Sequence, residues 1–199
     1  MKLHHTSAFV VAGLLAAIPA HADGAVTRIG QTSATDCFTA AATVSRTGIA
    51  LSYVVHWNAL ASCAEALTNK ISAKDRVATL VNRGTIEAVS GDIESSLADY
   101  NAALALNPNM ADTYIDRGSA LMRAARYQDA RADFDKALSL GPTNTYIAYF
   151  DRGMALEKSG NLTAAYADYK QAVALAPDYK PARVELSRFQ SVAGSSGHG

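Results

Sequence analysis

The chain has 199 residues, of which 49% are hydrophobic, and its 18 Lys and Arg residues balance 18 Asp and Glu residues. This length is sufficient for one domain with a continuous core. Because the basic residues form neither a stripe nor a polybasic cluster, we expect no nucleic acid partner and no attachment to a membrane surface.

The first 22 residues have the pattern of an export signal. Lys2 provides a positive start, Ala8–Ile18 is apolar, and residues 19–22 end in the small-x-small pattern of a cleavage site. The apolar run is too short for a bilayer span, which needs about twenty residues. We predict a mature chain that begins at Asp23, has no membrane span and resides outside the cytoplasm, most simply in a bacterial periplasm. An uncleaved anchor is the alternative.

The mature chain contains two cysteines, Cys37 and Cys63. In an oxidising compartment an even pair predicts one disulfide, with a free or reactive pair as an alternative. A metal site would need further ligands, and the mature chain offers only His56 and His198 as histidines. We therefore expect no metal and no cofactor.

Residues 23–76 are predicted to form an extended segment and then a degenerate helical hairpin stapled by that disulfide. Asp36 is a candidate cap for the first helix of the hairpin. In the second helix, Ala59, Cys63 and Ala66 reproduce a spacing that recurs further along the chain.

Between the cysteines, Ile49–Trp57 alternates large and small side chains with the period of a strand. A lone strand needs a partner, and Val26–Ile29 is the obvious candidate. Two interpretations stay open: a helix or ordered loop that covers the end of the fold, or a recognition element carrying the only tryptophan.

A repeated pattern fills the rest of the chain. Asn82-Arg83-Gly84 recurs as Asp116-Arg117-Gly118 and as Asp151-Arg152-Gly153, at spacings of 34 and 35 residues. Each glycine is followed by an aspartate, an aromatic residue and a proline at fixed distances. These are Asp99, Tyr100 and Pro108, then Asp133, Phe134 and Pro142, then Asp168, Tyr169 and Pro177. Recurrence at this period is typical of a helical solenoid.

Each repeated residue type has a physical explanation. Glycine within a helix costs about 1 kcal/mol against alanine, so its recurrence predicts a closely packed partner helix. Small residues would face it at Ser96, Ala130 and Ala165. The recurring arginine and aspartate predict an ion pair across each helical hairpin, and contact of the arginines with a ligand is the alternative.

This pattern resembles the tetratricopeptide repeat family. The resemblance implies an all-α, right-handed solenoid with three repeats at residues 77–110, 111–144 and 146–179. A cap helix would follow at residues 180–193, and residues 194–199 are predicted to be a disordered tail. The family often has leucine where this chain has Arg83, Arg117 and Arg152.

The resemblance also implies a concave groove, on the inner face of the first helices, that receives a peptide. The groove would be apolar with an acidic edge and would suit an amphipathic or mildly basic segment. Packing of its apolar residues against neighbouring helices is the alternative. The predicted groove residues are Asn82, Asp112, Ile115, Asp116, Met122, Ile147, Phe150, Asp151 and Met154.

The sequence thus predicts a non-catalytic protein-interaction module in the cell envelope, with a partner protein or peptide. The cationic residues that would clamp a terminal carboxylate are missing, since Asp112, Asp116, Ile147 and Asp151 occupy those positions. A structural or self-associating component of an envelope assembly is the alternative. A remote alternative is a hydrolase centred on His56, the only mature histidine inside the expected fold.

Overall fold

The computed structural model describes residues 32–47 and 53–195, and these form a solenoid of stacked antiparallel helices. The predicted signal at residues 1–22 and the possible strand Val26–Ile29 lie outside the described residues. Within the described ranges the helices are α1 Thr32–Thr47, α2 Tyr53–Thr68, α3 Ala73–Ser90, α4 Ile93–Leu106, α5 Ala111–Arg123, α6 Tyr127–Leu140, α7 Thr145–Lys158, α8 Leu162–Leu175 and α9 Lys180–Ser195.

Three hairpins, α3–α4, α5–α6 and α7–α8, correspond to the three repeats. Here the first helix of each hairpin is called its A helix and the second its B helix. Ser72, Asp92 and Asn161 cap helix N-termini by accepting a hydrogen bond from a backbone N–H three residues on. A proline follows the end of each B helix, where the helix cannot continue.

The repeated glycines accommodate the aromatic rings of the B helices. A Cβ atom would lie 3.0 Å from the Tyr100 ring at Gly84, 2.6 Å from the Phe134 ring at Gly118, and 2.8 Å from the Tyr169 ring at Gly153. The sequence predicts that Ser96, Ala130 and Ala165 supply the facing side of this contact, and the Ser96 carbonyl oxygen does lie 3.3 Å from the position of a Cβ atom at Gly84. The rings are the nearest atoms in all three hairpins, so glycine and aromatic form one packing unit.

Each repeated arginine makes a bidentate pair with its aspartate across the hairpin. The Arg83 guanidinium donates to both carboxylate oxygens of Asp99 at 2.6 Å. Arg117 and Asp133 form the same pair, as do Arg152 and Asp168, at 2.6–2.8 Å. Planar bidentate pairs of this kind are among the stronger charge-assisted hydrogen bonds.

Two of these arginines also join one hairpin to the preceding one. Arg117 donates to Asn101 of α4 at 2.7 Å, and Arg152 donates to Asp135 of α6 at 2.8 Å. Each of the two guanidinium groups therefore contacts three successive helices. The sequence pattern predicted only the contact within the hairpin.

The predicted disulfide is present between Cys37 of α1 and Cys63 of α2, with the two Cα atoms 4.9 Å apart. Both cysteines are fully buried and pack against Ile86 of α3. α1 packs along α3 as well as along α2, whereas successive A helices touch at only a few points. The N-terminal unit is thus closer to a three-helix arrangement with α3 than to another repeat.

One detail of this N-terminal unit differs from the sequence prediction, and another agrees with the helix interpretation of Ile49–Trp57. α1 begins at Thr32, so Asp36 lies in its second turn and does not cap it. Of the possible strand Ile49–Trp57, residues 49–52 lie outside the described residues, and Tyr53–Trp57 form the first turn of α2. Trp57 is 63% exposed on that helix.

The cap helix α9 covers the last hairpin. Phe189 lies 5.7 Å from the ring of Tyr169, and Arg188 donates to both carboxylate oxygens of Glu157 in α7. α9 extends to Ser195, two residues into the segment predicted to be a disordered tail. Among the described helices, none combines the length and the apolar character needed to cross a membrane.

Candidate partner-binding groove

The predicted groove residues fall into a buried and a partly exposed set. Those that are partly exposed are Asp112, Asp116, Met122 and Met154. Those that are buried, with at most 6% of their surface exposed, are Asn82, Ile115, Ile147, Phe150 and Asp151. The prediction for the buried set is therefore corrected, because a partner cannot reach these side chains without a rearrangement.

Aromatic packing closes the groove at the third repeat. The Tyr179 ring lies 5.4 Å from Phe150 and 5.0 Å from Tyr146, in edge-to-face geometry in both cases. Burial, with the nearby Asp151 carboxylate as the second cause, raises the pKa of the Tyr179 phenol. Tyr179 lies just before α9, so the capping segment covers the A helix beneath it.

The other end of the groove is closed at the first repeat. Ala34 of α1 packs on Ala78 of α3, and Asn82, one turn further along α3, is fully buried. The amide nitrogen and oxygen of Asn82 have no hydrogen-bond partner among the described residues. Asn82 was predicted to face a partner, and the structure places it inside the protein.

The carboxylate of Asp112 has a structural role. It accepts a hydrogen bond from the Thr143 backbone N–H at 3.1 Å and another from the Thr143 hydroxyl at 2.7 Å. This contact fixes the loop before α7 to the first turn of α5. Asp112 is partly exposed, but its carboxylate is already engaged and is a poor candidate for holding a partner.

The part of the inner face that remains open is centred on α5, and we call it the central groove. Helical spacing places Asp116 and Ser119 of α5 on one face, next to Met122. Neighbouring A helices contribute partly exposed side chains at equivalent positions. The central groove comprises Thr85, Ala88, Asp116, Ser119, Met122 and Met154.

The central groove combines apolar side chains with the Asp116 carboxylate at its base, one oxygen of which is buried. Asp116 lies near the Tyr100 phenol and, after burial, is the second cause of the raised pKa of that phenol. Tyr100 is also 3.3 Å from the Thr85 hydroxyl. The two methionines are flexible and polarisable, a property common at surfaces that accept varied partners.

The hydrolase alternative depends on His56. His56 lies in the first turn of α2, and its side chain is outside the described part of the chain. Within that part, no group of three or more His, Cys, Asp or Glu residues is placed to hold a metal ion.

Comparison with known proteins identifies the repeats. Two overlapping matches to the family model described as "Tetratricopeptide repeat" cover residues 81–145 and 115–180. The chain belongs to the tetratricopeptide repeat family. A curated human protein, Tetratricopeptide repeat protein 6, is 30% identical over 86 residues, which span 41% of this chain and 16% of the human protein.

Solved structures share the solenoid. MamA superposes with a TM-score of 0.67 at 17% identity, over 83% of this chain and 87% of MamA. The second tetratricopeptide repeat domain of human RPAP3, solved in complex with the HSP70 peptide SGPTIEEVD, gives a TM-score of 0.56 at 24% identity. That match covers 60% of this chain and 98% of the domain. At these identities the likeness shows the fold.

Proposed function

We propose that this chain is a non-catalytic protein-interaction module whose central groove binds an extended or helical segment of a partner protein. The observation that carries the proposal is the opening at α5, where Asp116, Met122 and Met154 remain partly exposed while both ends are closed. An apolar groove with a few fixed polar groups is a common arrangement for peptide recognition.

The charge of the groove favours a basic and apolar partner. Asp116 would attract an arginine or lysine of the partner, and the two methionines would pack against apolar residues beside it. The peptide held by the RPAP3 domain ends in the acidic sequence EEVD. We propose a different preference here, since an acidic end would be repelled by Asp116.

A titration with synthetic peptides tests this preference. Calorimetry would compare a peptide alternating leucine and arginine with one alternating leucine and glutamate. We expect the basic peptide to bind more tightly, and Asp116→Asn to weaken its binding about tenfold, as for the loss of a charge-assisted hydrogen bond.

The matched control is Asp129→Asn, which removes a negative charge from an exposed position at the start of α6, outside the groove. This variant should bind the basic peptide as the unaltered protein does. Equal losses for Asp116→Asn and Asp129→Asn, or tighter binding of the acidic peptide, would reject the proposal.

We also propose that the protein is exported through residues 1–22 and acts in the periplasm or outside the cell. The signal-like sequence supports this, as does a fully buried disulfide, which persists in oxidising compartments. Expression in a bacterium followed by N-terminal sequencing should give a chain that starts at Asp23 in the periplasmic fraction. An intact Met1 in the cytoplasmic fraction would contradict export.

Self-association is a second candidate function, and the exposure of Trp57 favours it. Trp57 is 63% exposed, and the neighbouring exposed residues Asn58, Ala61 and Ala64 on α2 carry no charge. Such a surface can contact a second copy without charge repulsion. Sedimentation at increasing concentration should show an oligomer that Trp57→Ala abolishes, and a monomer at all concentrations would exclude it.

A further inference from the structure

The three repeats differ at one equivalent place, where the first turn of the A helix meets the loop after the B helix. In the third repeat this place is filled by Tyr146 against Tyr179, with ring centroids 5.0 Å apart. In the second repeat, Asp112 closes it through its two hydrogen bonds with Thr143. The chain thus fills the space with its own side chains in two of three repeats.

The first repeat leaves the same place open. Val77 and Met110 stand where the third repeat has its tyrosines, and Ala78 stands where the second has Asp112. These smaller side chains leave a recess of about 450 Å³ that opens to solvent. It is lined by Ala73, Lys74, Val77, Ala78, Leu106, Asn107 and Met110, and we call it the α3–α4 recess.

The residues that line the α3–α4 recess determine which partner side chains would bind there. Its surface is mainly apolar, and Leu106 lies at its rim. Lys74 is the charged residue in the lining, and no carboxylate belongs to it. A bulky apolar side chain with an adjacent carboxylate therefore complements both the shape and the charge.

We propose that the α3–α4 recess is a second binding site, distinct from the central groove, for a partner segment that carries an aromatic or aliphatic side chain next to an acidic residue. The apolar side chain fills the space that tyrosines fill in the third repeat, and the acidic residue pairs with Lys74. The two sites have opposite charge preferences, because the central groove contains Asp116. A partner with separate acidic and basic segments could engage both.

The methionines make the two sites separately observable. Met110 lines the α3–α4 recess, while Met122 and Met154 lie in the central groove. Protein labelled with ¹³C in the methionine methyl groups would be titrated with acetyl-Gly-Phe-Glu-Gly-amide and, separately, with acetyl-Gly-Phe-Lys-Gly-amide. We expect the glutamate peptide to shift the Met110 signal, with a dissociation constant in the range of about a millimolar for one buried side chain.

Two variants probe the recess, the first at its apolar rim and the second at its lysine. Leu106→Asp should weaken binding of the glutamate peptide at least about tenfold, since it removes the apolar rim and adds a carboxylate that repels the glutamate. The matched control is Leu175→Asp, because Leu175 is the equivalent residue of the third repeat, is 49% exposed, and borders a place already filled. Lys74→Glu should reverse the preference so that the lysine peptide binds more tightly.

Several outcomes would overturn the proposal. These are an unmoved Met110 signal at the highest peptide concentration, equal binding of both peptides by the unaltered protein, or equal losses for Leu106→Asp and Leu175→Asp. A Met110 shift caused by protein concentration alone would show that a second copy occupies the recess, which also contradicts it. Shifts at Met122 and Met154 report on the central groove and do not affect this result.

Discussion

The two ends of the solenoid are stabilised by different means. At the N-terminal end, the buried side chains that the structure describes in α1 and α2 are small, and a disulfide joins the two helices. They are Ala34, Cys37, Ala41, Ala59, Cys63 and Ala66. At the C-terminal end, aromatic rings of α7 pack against Tyr179, the Tyr169 ring of α8 packs against Phe189 of α9, and Arg188 forms an ion pair with Glu157.

This difference shows how a solenoid can cover its last apolar faces in two ways. Aromatic side chains bury large areas, so the C-terminal end gains its stability from packing. Alanine and cysteine side chains bury little area, and the N-terminal end depends more on the covalent link. The two ends should therefore respond very differently to reduction and to loss of an aromatic ring.

The largest effect is expected from removing the disulfide. Replacing both Cys37 and Cys63 by serine should cost the N-terminal unit roughly 3 kcal/mol, because the crosslink closes a loop between residues 26 positions apart. Hydrogen exchange of backbone amides would measure the loss. Amides of α1 and α2 should exchange much faster, while those of α7 and α8 should keep their protection.

Serine is more polar than cysteine, so the substitutions change more than the crosslink at these buried positions. Reduction of the unaltered protein by a thiol is therefore the control. It should reproduce the faster exchange in α1 and α2. Unchanged protection of both helices after either treatment would show that small side chains alone hold this end.

A smaller effect is expected from Phe189→Ala at the opposite end. The Phe189 ring is partly buried against Tyr169 and Tyr166, so its loss should cost about 2 kcal/mol, less than for a fully buried phenylalanine. The loss should appear as faster exchange in α8 and α9. Val184→Ala, at a position 54% exposed on α9, should change little. Equal effects of the two substitutions would contradict the aromatic cap.

The sequence predicted the repeats well because their determinants are local. Glycine, arginine, aspartate and aromatic residues at fixed spacing lie within one hairpin, and their contacts follow from that hairpin alone. The closed ends of the groove could not be predicted in this way. They depend on α1 packing against α3 at Ala78, close to Asn82, and on Tyr179 covering Phe150, and both segments lie at the margins of the repeats or outside them.

The α3–α4 recess was also missed by sequence analysis, although a signal for it exists. Aligning the three repeats places Val77 and Met110 opposite the pair Tyr146 and Tyr179. The size difference is visible in the sequence, but its meaning requires knowing that these two positions face each other. Only the fold supplies that information.

An effect on stability comparable in size to that of Phe189→Ala, but dependent on pH, is expected near the N-terminal end. Glu87 of α3 is buried where the other repeats have Leu121 and Leu156. Burial is the main cause that raises the pKa of Glu87 to about 7, with a further contribution from Asp99 that Arg83 partly offsets. Because the pKa is higher in the folded protein than in the unfolded chain, this residue favours folding at low pH, and that contribution disappears as the pH rises through 7.

The free energy of unfolding should therefore fall by about 2 kcal/mol between pH 5 and pH 8 through Glu87. Glu87→Gln should remove this dependence, and denaturant titration at several pH values would measure it. The control is Glu94→Gln, at an exposed position of α4, which should keep the slope. The same slope in both variants would assign the pH dependence to other groups.

The smallest expected effect concerns the middle hairpin, midway between the two ends. It tests whether backbone strain in this hairpin lowers the free energy of unfolding. Ala125 ends the turn after α5 with φ 57°, where the other hairpins have Gly91 at 93° and Gly160 at 84°. A side chain disfavours this left-handed conformation, and a Cβ atom at either glycine would meet nothing within 4 Å. Ala125→Gly should raise the free energy of unfolding by about 0.5–1 kcal/mol, and Gly160→Ala should lower it by a similar amount. Thermal denaturation of the two variants would show whether the free energy of unfolding rises in the first and falls in the second. If Ala125→Gly lowered the melting temperature, the entropy of the unfolded chain would outweigh the backbone strain.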